Sequence, residues 1–62
     1  MIFSRRLRRL RESAGLTISQ LATAAKLPRQ TIHLLESGQR QPSLKTARQL
    51  LRALGKSLAV LD

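Results

Sequence analysis

A chain of 62 residues makes one small domain, and at this size only about 60% of the unfolded surface is buried, so close packing or self-association must help. It has no cysteine, which excludes disulfides and thiolate-held zinc, and one histidine with three acids is too few for a metal cage. Twelve lysines and arginines against those acids give a net charge of +9, which points to a polyanionic partner, most often nucleic acid.

The first predicted helix covers about 3–14. At about 100° per residue, Phe3, Leu7, Leu10 and Ala14 fall in one narrow arc, and Arg5, Arg8 and Arg9 point the other way. Gly15 supplies the stop. Thr17-Ile18-Ser19-Gln20 has the form of a capping box and opens a second helix over about 17–25. Its Ile18, Leu21, Ala22 and Ala25 line one face, and the alanines let a neighbour pack close. Lys26 and Leu27 form a turn, and Pro28 suits a helix start. The third predicted helix is short, about 29–36, and Ser37-Gly38 stops it. After the polar loop Gln39-Arg40-Gln41-Pro42, Ser43 is a good N-cap for a fourth helix over about 44–54. Leu44, Ala47, Leu50, Leu51 and Leu54 form its expected core face; Lys45, Arg48 and Arg52 form its wet face.

The tail KSLAVLD has two readings. It is one more helical turn after Ser57, or a strand in which Leu58 and Val60 alternate with Ala59 and Leu61. A strand would need a partner edge, which a twofold mate supplies, making Leu58, Val60 and Leu61 a dimerisation segment. The expectation is an all-α fold: a compact four- to five-helix bundle, one domain over 1–62, with the tail as a dimer-pairing β-strand or a short fifth helix.

Several function classes drop out. There is no Cys, Tyr or Trp, no pair of acids at useful spacing, and the three glycines are isolated, so no nucleophile, acid–base pair or phosphate loop is available for an enzyme. No cofactor is expected. No apolar run approaches the roughly 18 residues of a membrane span. The basic MIFSRRLRRLRE is not followed by an apolar stretch, so it does not read as a secretory signal, and with no cysteine the expected location is cytoplasmic. Phe3 is the one aromatic residue. Single-strand and RNA readers depend on aromatic stacking, so duplex DNA is the favoured nucleic acid.

Two helices joined by about three residues, the second of them short, form a helix-turn-helix pattern. On the wheel of the third predicted helix Ile32 and Leu35 hold the core, and Arg29, Gln30, His33 and Leu34 occupy the opposite arc. Arginine pairs with guanine, glutamine with adenine, and an apolar side chain sits against a thymine methyl, so these four are the candidate base readers. Each also has a plain alternative: a phosphate contact or solvated charge for Arg29, ordinary exposure for Gln30, phosphate or water for His33, and packing on a neighbour for Leu34. The run Arg5-Arg6-Leu7-Arg8-Arg9 is a solvated face or a supplementary phosphate contact, and an amphipathic membrane helix is the least favoured reading because the apolar face is needed for the core.

Leu10-Arg11, Ala14-Gly15-Leu16-Thr17, Leu21-Ala22, Thr31-Ile32, Leu35-Glu36-Ser37-Gly38, Pro42-Ser43-Leu44 and Leu54-Gly55 stand in register with a known pattern. Over roughly residues 5–55 the chain resembles the phage repressor/Cro-like helix-turn-helix family, often called the XRE family. The resemblance implies a helical bundle that binds a palindromic double-stranded DNA operator as a homodimer, most simply a repressor. It implies that Thr17, Ser19, Gln20, Thr31, Gln39, Arg40 and Gln41 bind phosphate. Ile18 departs from the glutamine frequent in the family, and Ser19 is the expected substitute. It also implies that Arg11 and Glu36 form a structural ion pair. The apolar tail is similar to that of antitoxins that partner HipA-type kinase toxins, so the alternative reading is an interaction module that neutralises a protein toxin and regulates its own operon.

Overall fold

The computed structural model describes residues 2–55. Among them are four α-helices and no strand: α1 (Ile2–Ser13), α2 (Ile18–Ala25), α3 (Arg29–Glu36) and α4 (Leu44–Ala53). Both readings of the tail, with the pairing role of Leu58, Val60 and Leu61, fall outside the described residues.

The helix starts follow from the capping residues. Thr17 has extended backbone (φ −79°, ψ 167°). The Gln20 N–H donates to Thr17 Oγ1 at 3.1 Å, and the Thr17 N–H donates to Gln20 Oε1 at 2.8 Å. Two otherwise orphaned backbone donors are thereby satisfied reciprocally. Ser43 repeats half of this at α4, its Oγ accepting from the Thr46 N–H at 3.1 Å. Pro28 precedes α3 with φ −61° and no side-chain cap; its ring fixes the φ that a helix entry needs.

The ends of α1, α2 and α3 share one geometry. After α1, the Gly15 N–H donates to the Glu12 carbonyl and the Leu16 N–H to the Arg11 carbonyl; after α3, Gly38 and Gln39 do the same toward Leu35 and Leu34. This is the Schellman closure, which needs a left-handed residue at the turn. Gly15 and Gly38 provide it at φ +73° and +80°. After α2 the same two bonds form, Lys26 to Thr23 and Leu27 to Ala22, but the left-handed residue is Lys26, at φ +59°. A side chain there costs about 1–2 kcal/mol, partly offset because glycine would loosen the unfolded chain. Lys26→Gly is therefore expected to stabilise the domain by about 0.5–1 kcal/mol, read as a higher urea midpoint at unchanged slope. A lower midpoint would mean that Lys26 makes a compensating contact.

The turns after α1 and α2 each end in a leucine that folds back on the core. Leu16 and Leu27 are partly buried against a cluster of Leu7, Leu21, Ala22, Ala25, Ile32, Leu35 and Leu50. α3 packs on α1 and α2, and α4 packs on α2. Ala22, Ala25 and Ala47 are all buried, which is how short helices lie close enough to exclude water. Two expected core positions differ. Ala14 is exposed because α1 ends at Ser13. Leu44 is 61% exposed because it opens α4, a turn before Ala47, the first buried residue of that helix. In the other direction, Ser4 is buried on α1, and a Cβ built on Gly38 would meet its Oγ at 3.7 Å. The packed face of α1 is thus turned from the purely apolar arc toward Ser4 and Arg11.

Candidate nucleic-acid interface

α3 presents its polar arc outward. Ile32 and Leu35 are at most 1% exposed, whereas Arg29, Gln30 and His33 are all exposed on the opposite side. Leu34, expected bare on that arc, is half-buried, so only part of its side chain is available to a thymine methyl. With its side chains an α-helix is about 10–12 Å across, which fits a major groove about 12 Å wide, and eight residues at 1.5 Å each make α3 about 12 Å long.

A helix in that groove has a phosphate strand on either side, and α3 is flanked by two clefts. One, of about 310 Å³, is lined by Thr31 from α3, Arg40, Gln41 and Pro42 from the loop, the α4 cap Ser43, and Thr46 from α4. It gathers three of the expected phosphate ligands, Thr31, Arg40 and Gln41. Ser43 and Thr46 join them, two hydroxyls of which the sequence suggested Ser43 only as a helix cap and did not single out Thr46. The loop is held here by one acceptor: the Leu34 carbonyl receives the Ser37 hydroxyl at 3.1 Å and the Gln39 and Arg40 N–H groups at 3.1 and 3.2 Å. Gln39 and Arg40 are exposed but anchored through their backbones, so the Arg40 guanidinium starts from a defined place.

The other cleft, of about 260 Å³, lies between α1, the start of α2 and the second half of α3, lined by Arg8, Arg11, Ile18, His33, Glu36 and Ser37. Next to it is the α2 N-terminus, whose exposed amides and partial positive charge suit an anion. The capping box orients its side chains. Gln20 Oε1 is occupied by the Thr17 N–H, so the Gln20 amide turns its two N–H donors outward; Thr17 Oγ1 is already an acceptor and keeps its own hydrogen for donation. Ser19 and Gln20 are exposed and share a shallow surface with Thr23 and Ala24.

Arg11 and Glu36 lie between these parts and do not join the exposed surface. Arg11 Nε donates to Glu36 Oε2 at 2.6 Å and Nη2 to Oε1 at 3.0 Å, while Nη1 donates to the Leu16 carbonyl at 2.8 Å. The side chains are 12% and 7% exposed. The Glu36 hydrogen bond raises the pKa of the Arg11 guanidinium further, against the smaller opposing effect of its burial. One side chain therefore ties α1 and the α1–α2 turn to the end of α3, fixing the angle at which α3 stands. Among the described residues no group of His, Asp and Glu is gathered to hold a metal ion, and no helix is long and apolar enough to cross a membrane.

Comparisons with known proteins agree with this geometry. A family model described as helix-turn-helix matches residues 7–61. An uncharacterised HTH-type transcriptional regulator from Methanothermobacter thermautotrophicus is 44% identical over 50 residues, which is 81% of this chain and 72% of that protein. The crystal structure of the restriction-modification controller protein C.AhdI from Aeromonas hydrophila is similar with a TM-score of 0.94 at 36% identity, over 98% of this chain and 92% of the other.

Proposed function

The chain belongs to the helix-turn-helix family, whose members are DNA-binding transcriptional regulators and not enzymes, and on that premise we propose that two copies bind one palindromic operator, each with α3 in the major groove. The observation that carries this reading is the division of α3: Ile32 and Leu35 are buried, and Arg29, Gln30 and His33 are exposed. Those three, with the exposed part of Leu34, have the donors, acceptors and apolar surface that distinguish base edges. Thr17, Ser19 and Gln20 on one side, and Thr31, Gln39, Arg40 and Gln41 on the other, hold the phosphates and set the register.

The need for two copies is quantitative. A helix of about 12 Å reads roughly four base pairs, a word that recurs about every 250 base pairs by chance, far too often to single out one site among the millions in a genome. A twofold mate doubles the word and places the second α3 about 34 Å away, one turn of the duplex. Occupying promoter DNA in this way blocks transcription without any further surface, so repression is the proposed direction.

Selection of bound duplexes from random DNA at about 0.15 M salt, followed by sequencing, tests the reading. An enriched palindrome with half-sites about 10 base pairs apart is the expected result. An enriched word without symmetry would rule out the dimer, and no enriched word would rule out sequence-specific recognition.

A further inference from the structure

Four exposed arginines lie on α1: Arg5, Arg6, Arg8 and Arg9. They read alike in the sequence, but the fold separates them. At about 100° per residue Arg9 points directly away from the core, while Arg8 lies beside Arg11 on the flank nearest α3. It is Arg8 that lines the 260 Å³ cleft with Ile18, His33 and Ser37. That cleft opens beside the exposed arc of α3 and the N-terminus of α2, the two features that the proposed operator complex turns toward DNA.

The chemistry of the cleft suits an anion. At its base the Glu36 carboxylate receives two N–H groups from Arg11, so its charge is matched in place. Arg8 then leaves the cleft positive. His33 stands at the rim, while the Ser37 hydroxyl gives its one hydrogen to the Leu34 carbonyl and leaves the grip to the nitrogen donors. Among the described residues Arg8 is restrained by Glu12, with Nε 3.5 Å from Oε2 and side chains 66% and 57% exposed. An i,i+4 pair that open to water is a weak tether and yields to a stronger anion. Water occupies about 30 Å³ per molecule in the liquid, so the cleft has room for a phosphodiester and several waters.

We propose that this cleft seats one backbone phosphate, gripped by Arg8, on the strand that the start of α2 also touches, so that α1 takes part in DNA binding together with the two helices of the motif. The proposal rests on the DNA-binding reading above and adds one contact to it. Arg40 and its cleft hold the strand on the far side of α3; Arg8 holds the near one. The contact carries no sequence information, because a phosphate is the same at every base.

Anisotropy titration of the full chain with a labelled 30-base-pair duplex of random sequence, repeated between about 50 and 200 mM KCl, reads phosphate contacts directly as the slope of log K against log salt. Arg8→Ala is expected to make that slope shallower by about 0.9, and Arg9→Ala, which removes the same charge elsewhere on α1, to leave it nearly unchanged. Arg8→Gln keeps the side-chain stem and should match Arg8→Ala, which separates the lost contact from any loss of folding. Equal slopes for the wild type and both Arg8 variants, or equal losses for Arg8→Ala and Arg9→Ala, would overturn the Arg8 site and leave the DNA-binding reading standing. A wild type that binds no duplex at all would overturn both.

Discussion

Glu36→Gln is expected to cost the domain about 3 kcal/mol or more, because removing one partner of a largely buried ion pair strands the other. Arg11 is 12% exposed in its side chain and sends three N–H groups inward, two of them to Glu36. With a neutral amide opposite, the guanidinium keeps its charge. It loses its best acceptors while the Leu16 carbonyl still holds it in place. A chain of this size has a total stability of roughly 3–9 kcal/mol, at 0.05–0.15 kcal/mol per residue. The variant should therefore be partly unfolded at 25 °C, seen as lost helical circular dichroism and a urea transition without a native baseline. Replacing both partners by apolar residues, Arg11→Met with Glu36→Leu, should recover most of the loss, because no charge is then stranded. A cost below about 1 kcal/mol for Glu36→Gln would show that the pair is not the joint between α1 and α3. Since the Arg11 pKa is raised, the stability it contributes is fully present below the ordinary arginine range and is lost only as pH rises through the raised value. Acid and neutral solutions should not move this contribution through Arg11.

The ion pair also shows where sequence reading reaches and where it stops. Helix limits were legible because the chain marks them with chemistry that acts locally: Thr17 with Gln20, Pro28, Ser43, and glycines at the turns. The bounds of α3, the element proposed to read DNA, agree with the expectation at both ends. What the sequence showed less well depends on contacts between helices. The apolar arc of α1 pointed to Ala14, but the packed face turns toward Ser4 and Arg11, because polar groups that find partners bury as well as leucines do. A count of apolar residues gives no weight to a guanidinium that will meet a carboxylate 25 positions away. Leu44 shows the converse, an apolar residue in the right phase that stays largely exposed. Lys26 carried no sign of its left-handed backbone, since only the closing bonds to Ala22 and Thr23 reveal it. The interface was legible in part. Periodicity brought out Arg29, Gln30 and His33, but the two flanking clefts, and with them Ser43, Thr46 and Arg8, required the helices to be placed.

Arg29→Ala and Arg40→Ala remove the same side chain from exposed positions only eleven residues apart, and they are expected to fail in opposite ways. Arg29 opens α3 on the exposed arc proposed to face the groove, and among the described residues its guanidinium has no partner, so it can fork onto the O6 and N7 of a guanine. Losing it should cost about 1–3 kcal/mol on the selected operator, or roughly 5- to 150-fold in affinity, and should relax the preference at one position of each half-site. Arg40 is pinned through its backbone N–H to the Leu34 carbonyl and lines the cleft with Thr31 and Gln41, a place beside the groove and not within it. Its loss should weaken every sequence alike and make the salt dependence shallower by about 0.9. Binding both variants to a panel of single-base operator changes at two salt concentrations separates the cases. A flat penalty across the panel for Arg29→Ala, with a shallower salt slope, would make Arg29 a phosphate ligand and leave the reading to Gln30, His33 and Leu34. A base-dependent penalty for Arg40→Ala would mean that the loop enters the groove, which would require α3 to lie along it at a different angle from the one its two flanking clefts imply.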